Sequence, residues 1–118
     1  MKNVKVVKIL YDGVSFDDGS TLESYHSNEC CESHYLNFSD LTIKDFDGLE
    51  FDLSTDNFFE RVEGYGIALK PLNGNPVRVP GYGSNNGNYS SELDLILKKD
   101  GKEIKLHDIT ECQKLEWW

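Results

Sequence analysis

The chain has 118 residues, twenty-one of them acidic and twelve basic, with a formal net charge of −9. That length suits one domain with a modest core, read here as spanning 1–118, and the charge disfavours a phosphate backbone or an anionic membrane as partner. No stretch approaches the roughly 18 apolar residues of a membrane span, and the first eight residues alternate charged with aliphatic side chains where a signal peptide builds an apolar run. The expectation is a cytoplasmic protein that binds neither nucleic acid nor membrane directly.

In chain order, Lys5–Tyr11 is rich in β-branched residues and ends at Asp12-Gly13, which predicts a strand. Val14-Ser15-Phe16 and Thr21–Tyr25 flank Asp17-Asp18-Gly19-Ser20, a hairpin pattern. His34–Phe38 places apolar residues at 36 and 38, and Ser39-Asp40-Leu41 offers a cap for one helical turn. Leu49, Phe51 and Leu53 alternate with Glu50 and Asp52, the period of a strand with one buried face. Phe58–Val62 and Ile67–Leu69 surround Glu63-Gly64-Tyr65-Gly66, and Val77-Arg78-Val79 lies between two turn signals, the second being Pro80-Gly81. Leu93, Leu95 and Leu97 precede Asp100-Gly101, and Glu103–Leu106 returns, which makes the clearest hairpin. No 3.6-residue pattern is long enough for three helical turns, although 112–118 suits a short helix. The fold class is mainly β: a single antiparallel β-sandwich or small barrel with at most one or two short helices.

Charge is unevenly distributed. Residues 11–60 hold thirteen acids and one base, Lys44, whereas the remainder holds eight acids and eleven bases. Gathered on one face, the acids would attract a basic surface and repel nucleic acid. The candidate contacts are Asp45, Asp47, Glu50, Asp52 and Asp56, with Tyr82 and Tyr89 as aromatic anchors on the glycine- and asparagine-rich stretch 81–90. That stretch is no phosphate loop, because no lysine follows its glycines and a strand, not a helix, comes next. It reads as a turn. The terminal Trp117 and Trp118 fit either docking on the domain or an exposed pair.

Three cysteines, two of them adjacent, suit a disulfide framework poorly and read as reduced thiols. His26, Cys30, Cys31 and His34, with Cys112 and His107 farther off, are nonetheless zinc-ligand types, since imidazole and thiolate bind Zn²⁺ at about 2.0–2.3 Å in a tetrahedron. The spacing lacks a C-x-x-C pair, and adjacent cysteines in a strand point to opposite faces. A cysteine nucleophile needs a depressed thiol pKa, whereas Glu29 and Glu32 would raise one. The reading is therefore no cofactor and no enzyme, with a zinc domain as the alternative.

His26-Ser27-Asn28-Glu29-Cys30-Cys31-Glu32, followed some fifty residues later by Gly83-Ser84-Asn85-Asn86-Gly87-Asn88-Tyr89-Ser90, resembles a domain-of-unknown-function family of phage and bacterial genomes. In that family a His before an acidic-Cys-Cys-Glu signature precedes a Ser-Asn-Gly-aromatic-Tyr-Ser turn and a final strand. This chain carries an extra Asn in the turn and Asn88 where an aromatic is usual. The resemblance covers roughly residues 5–98 and implies origin, a phage or prophage, more than activity. The leading expectation is a non-enzymatic interaction protein of a mobile element, an inhibitor of a host defence complex in the manner of an anti-CRISPR protein. Its partner would be a host protein with a basic, nucleic-acid-handling surface. Besides zinc, a further alternative is a sponge for a small nucleotide signal, against which stands the presence of only two arginines, Arg61 and Arg78.

Overall fold

The computed structural model describes residues 3–11, 13–25, 33–54, 56–85 and 92–117. Ten strands are described: β1 (Val6–Ile9), β2 (Gly13–Phe16), β3 (Thr21–Tyr25), β4 (Ser33–Leu36), β5 (Phe59–Val62), β6 (Gly66–Leu69), β7 (Val77–Asn85), β8 (Asp94–Lys99), β9 (Lys102–Asp108) and β10 (Lys114–Trp117). They form two sheets packed as a small β-sandwich, one in the order β1-β2-β3-β8-β9 and the other built from β4, β5, β6, β7 and β10.

The hairpins follow local turn chemistry. Asp100 (φ 56°) and Gly101 (φ 78°) both take the left-handed conformation that a two-residue turn needs to match strand twist, and β8 pairs with β9 around them. At the β2–β3 turn, Asp18 Oδ1 accepts from the Ser20 backbone N–H at 2.9 Å and from Ser20 Oγ at 2.5 Å, a local fold that starts β3. One face of each strand then meets the other sheet. Val14, Phe16, Leu22, Leu95 and Leu97 from the first sheet bury against Leu36, Ile67, Leu69 and Val79 from the second. Phe38, Phe46, Phe51 and Phe58, which lie between strands, are all 2% exposed or less and complete the core. Phe51 packs on Phe16 and Phe46 at ring-centroid distances of 6.1 and 6.3 Å.

Four local expectations are corrected. The alternation at 49–53 buries Phe51 and half-buries Leu49 and Leu53, but the backbone makes only an isolated bridge, Val4 with Phe51. The single helical turn expected near Ser39 is a 3₁₀ turn at Ile43–Phe46, capped by Thr42 and Asp45. The short helix expected at 112–118 does not form over the described residues 112–117, because Lys114–Trp117 forms β10 and runs parallel to β7. That is the one parallel pair among the described strands, which otherwise pair antiparallel.

Pro80-Gly81, expected as a turn, instead lies inside β7, the longest strand. The Pro80 carbonyl accepts from the Asn37 N–H at 2.8 Å, and its missing donor falls on that same edge, where β4 stops at Leu36. Gly81 donates its N–H to the Tyr65 carbonyl and lies so near the backbone of Cys112 and Gln113 that a Cβ would collide with the Cys112 carbonyl. Gly81→Ala is expected to lower stability by about 1–3 kcal/mol through that overlap. A urea melt reads the shift, and an unchanged midpoint would contradict the close approach.

Candidate binding surface

Alternation along β7 turns Val79, Gly81 and Gly83 inward and leaves Arg78, Pro80 and Tyr82 on the outer face. Tyr82 is register partner to Tyr35 on β4 and, across its other edge, to Lys114 on β10. Three adjacent strands thereby place Tyr35, Tyr82 and Lys114 in one transverse row. The Tyr35 and Tyr82 rings lie 5.9 Å apart, and Tyr11, just beyond β1, stacks on Tyr35 at 6.1 Å. At the other end the Lys114 ammonium sits 5.5 Å from the Tyr82 ring and 5.0 Å from that of Tyr65, over which the Arg78 guanidinium also lies at 5.8 Å. The row is thus continuous: Tyr11, Tyr35, Tyr82, Lys114, Tyr65, Arg78. Tyr11 is 72% exposed. Burial, with Tyr11, Tyr82 and Asp40 nearby, pushes the Tyr35 phenol up and keeps it neutral.

Arg78 also closes one end of an open groove of about 480 Å³. Its floor is Leu41, Leu49 and Val77, each packed on the core, and its walls carry Asp45, Asp47, Asn75 and Pro76. Asp45 Oδ2 accepts from the Thr42 N–H at 2.8 Å, while Asp47 is exposed. Among the described residues neither carboxylate has an ion-pair partner.

Of the acidic residues singled out from the sequence, Asp45 and Asp47 share this groove and Glu50 is half-buried nearby, with its N–H bonded to Asn73 Oδ1 at 2.8 Å. Asp52 is 7% exposed, and its Oδ1 holds the Ser54 N–H at 3.0 Å and Ser54 Oγ at 2.6 Å, so it fixes a turn. The backbone of Asp56 opens the 3₁₀ turn Asp56–Phe58, and its side chain is outside the described set. Tyr82 stands in the middle of the aromatic row. Tyr89, His26, Cys30 and Cys31 lie outside the described residues. Yet the strands that flank the two motif segments are joined: Ser33 pairs with Ser84, and Tyr25 with Asp94. Sequence reasoning missed Tyr11, Tyr35, Tyr65 and Lys114, which share no spacing that a linear pattern could reveal.

His34, a ligand candidate, is 4% exposed and bonded through Nδ1 to Gln113 Oε1 at 2.8 Å. The Gln113 amide nitrogen donates to the Thr110 carbonyl at 2.8 Å, which fixes Oε1 as acceptor and therefore Nδ1 as the protonated ring nitrogen. His107 packs edge-on against Phe59 at 5.0 Å. Among the described residues no three His, Cys, Asp or Glu side chains cluster as a metal site, and no helix is long and apolar enough to cross a membrane. Burial pushes the Cys112 thiol up, against the opposing pull of Arg61. Cys112 is expected to resist iodoacetamide in the native protein and to react once denatured, as peptide mass mapping reads; equal labelling in both states would contradict its burial.

A second cavity of about 220 Å³ lies between Val4, Leu53 and Leu97, with Asp18, Ser20, Ser54 and Lys99 at its rim. Burial alone pushes the Asp18 carboxyl up, but the two Ser20 hydrogen bonds and the Lys99 ammonium at 3.6 Å outweigh it and hold it below the ordinary value. The stability it contributes is therefore full above the unfolded Asp pKa of about 3.9 and is lost as pH falls through the lower folded-state value. Asp18→Asn is expected to flatten that acid limb in melts recorded from pH 6 to 2, and an unchanged limb would contradict the assignment.

No family model matches this chain, nor does any curated protein or solved structure.

Proposed function

We propose that this protein is a non-enzymatic interaction protein that docks on a partner protein through the outer face of its second sheet. The observation that carries this reading is the row Tyr11, Tyr35, Tyr82, Lys114, Tyr65 and Arg78. Tyrosine and arginine concentrate binding energy at protein interfaces, and rings already held by their neighbours lose little freedom on binding. A net charge of −9, with Asp45 and Asp47 at the end of the row, favours a partner with a basic surface.

The resemblance of residues 26–32 and 83–90 to a phage-associated domain family supports a finer version of the same reading. The protein would act in the host cytoplasm, against a nucleic-acid-handling defence complex whose basic groove it covers. Burial of the Cys112 thiol and its raised pKa leave it a poor nucleophile, which speaks against catalysis through that cysteine.

Affinity capture from a bacterial lysate, compared between wild type and Tyr35→Ala/Tyr82→Ala, tests the proposal. The expected result is one specific partner, retained at low salt, weakened at high salt, and reduced at least about tenfold in the double variant, as the loss of two aromatic anchors implies. An unchanged circular dichroism spectrum and melt would show that the double variant still folds. Equal capture by wild type and variant would overturn the assignment of this face.

A further inference from the structure

The row differs from an ordinary aromatic patch in that its rings already hold cations. Lys114 lies within reach of both Tyr65 and Tyr82, and Arg78 covers Tyr65 from the groove side. The negative faces of these rings are thus directed at positive groups. Among the described residues no cation sits over Tyr11 or Tyr35, although these two rings continue the same row and Tyr11 is the most exposed large hydrophobic side chain described. At the opposite end, Asp45 and Asp47 have no ion-pair partner among the described residues, and between them Leu41, Leu49 and Val77 give an apolar floor. An aliphatic stem with a cationic head fits such a slot, with the methylenes on the floor and the charge at the carboxylates.

Resting on the reading that this face binds a partner, we propose the chemistry of what it binds: an arginine-rich segment of that partner. Guanidinium planes stack on Tyr11 and Tyr35, and a further arginine enters the groove and pairs with Asp47 and the free Oδ1 side of Asp45. Arginine is favoured over lysine because a planar, weakly hydrated guanidinium both stacks on a ring and forks onto a carboxylate. The net charge of −9 acts in the same direction, drawing a basic segment in and repelling a phosphate chain. Lys114 and Arg78 are then internal competitors, holding ring faces and contributing like charge against the incoming segment.

Fluorescence anisotropy of the full chain with a labelled arginine nonapeptide, a lysine nonapeptide and a thymidine oligonucleotide tests this. The arginine peptide is expected to bind several-fold more tightly than the lysine peptide, and the oligonucleotide not at all. Tyr11→Ala/Tyr35→Ala is expected to weaken the arginine peptide about tenfold, as two lost cation–π contacts imply, and Asp47→Asn about threefold or more. Glu103→Gln, an exposed acid away from the face, changes little, whereas Lys114→Ala tightens binding. Equal affinity for both peptides with no effect of the tyrosine change would reduce the attraction to bulk charge and overturn the proposal. Binding of the oligonucleotide in preference to the arginine peptide would overturn it in favour of base stacking. If the native partner is still lost in Tyr35→Ala/Tyr82→Ala while the arginine peptide fails to bind, the interaction face stands and its arginine specificity falls.

Discussion

The second sheet depends on one strand having three neighbours. β7 gives residues 77–80 to β6, 81–84 to β4 and 82–85 to β10, so every strand of that sheet except β5 is fixed by its backbone. This needs a strand without bulk on its inner side where the chain after Ile109 passes, and Gly81 meets that need. Side chains there would hold the 112–113 backbone away and deprive β10 of its partner. The binding face is a consequence of this arrangement, because Tyr35, Tyr82 and Lys114 align only when β4 and β10 flank β7 in this register.

The same strand unites charge and aromaticity. Its first outward residue, Arg78, borders the acidic groove, and its third, Tyr82, lies at the centre of the ring row. This surface mixes rings held by their neighbours, two internal cations and two carboxylates that have no ion-pair partner among the described residues, the features on which the proposed selective contact rests. Beneath it, His34 and Gln113 form a buried polar pair between β4 and the segment leading into β10. That pair ties the row from below, because a buried hydrogen bond left half-made costs more than it contributes when satisfied.

Beyond the row, the chain's two motif segments join strands that are themselves paired, through Ser33 with Ser84 and Tyr25 with Asp94.

The sequence alone determined what is local. Turn residues with an intrinsic preference for positive φ, such as Asp100-Gly101, and period-two apolar patterns, such as Leu95 and Leu97, located the β2–β3, β5–β6 and β8–β9 hairpins and the β class of the fold. Net charge, the absence of a long amphipathic pattern and the candidates Asp45, Asp47 and Tyr82 were legible for the same reason: each depends on residue type or short spacing. Tertiary structure decided what depends on non-local neighbours. The alternation at 49–53 marked Phe51 as core but misplaced Asp52, which is buried on a turn, and strand pairing, because among the described residues this stretch forms one isolated bridge, with Val4. Pro80-Gly81 carries the signature of a turn, yet extends within β7, since the missing donor falls where β4 has ended and the missing side chain is what lets the chain after Ile109 approach. Lys114–Trp117 became a strand by pairing with β7, thirty residues distant, and that pairing set Lys114 between Tyr65 and Tyr82. A row assembled from residues 11, 35, 65, 78, 82 and 114 has no linear signature, because its spacing is fixed by strand register and not by the chain.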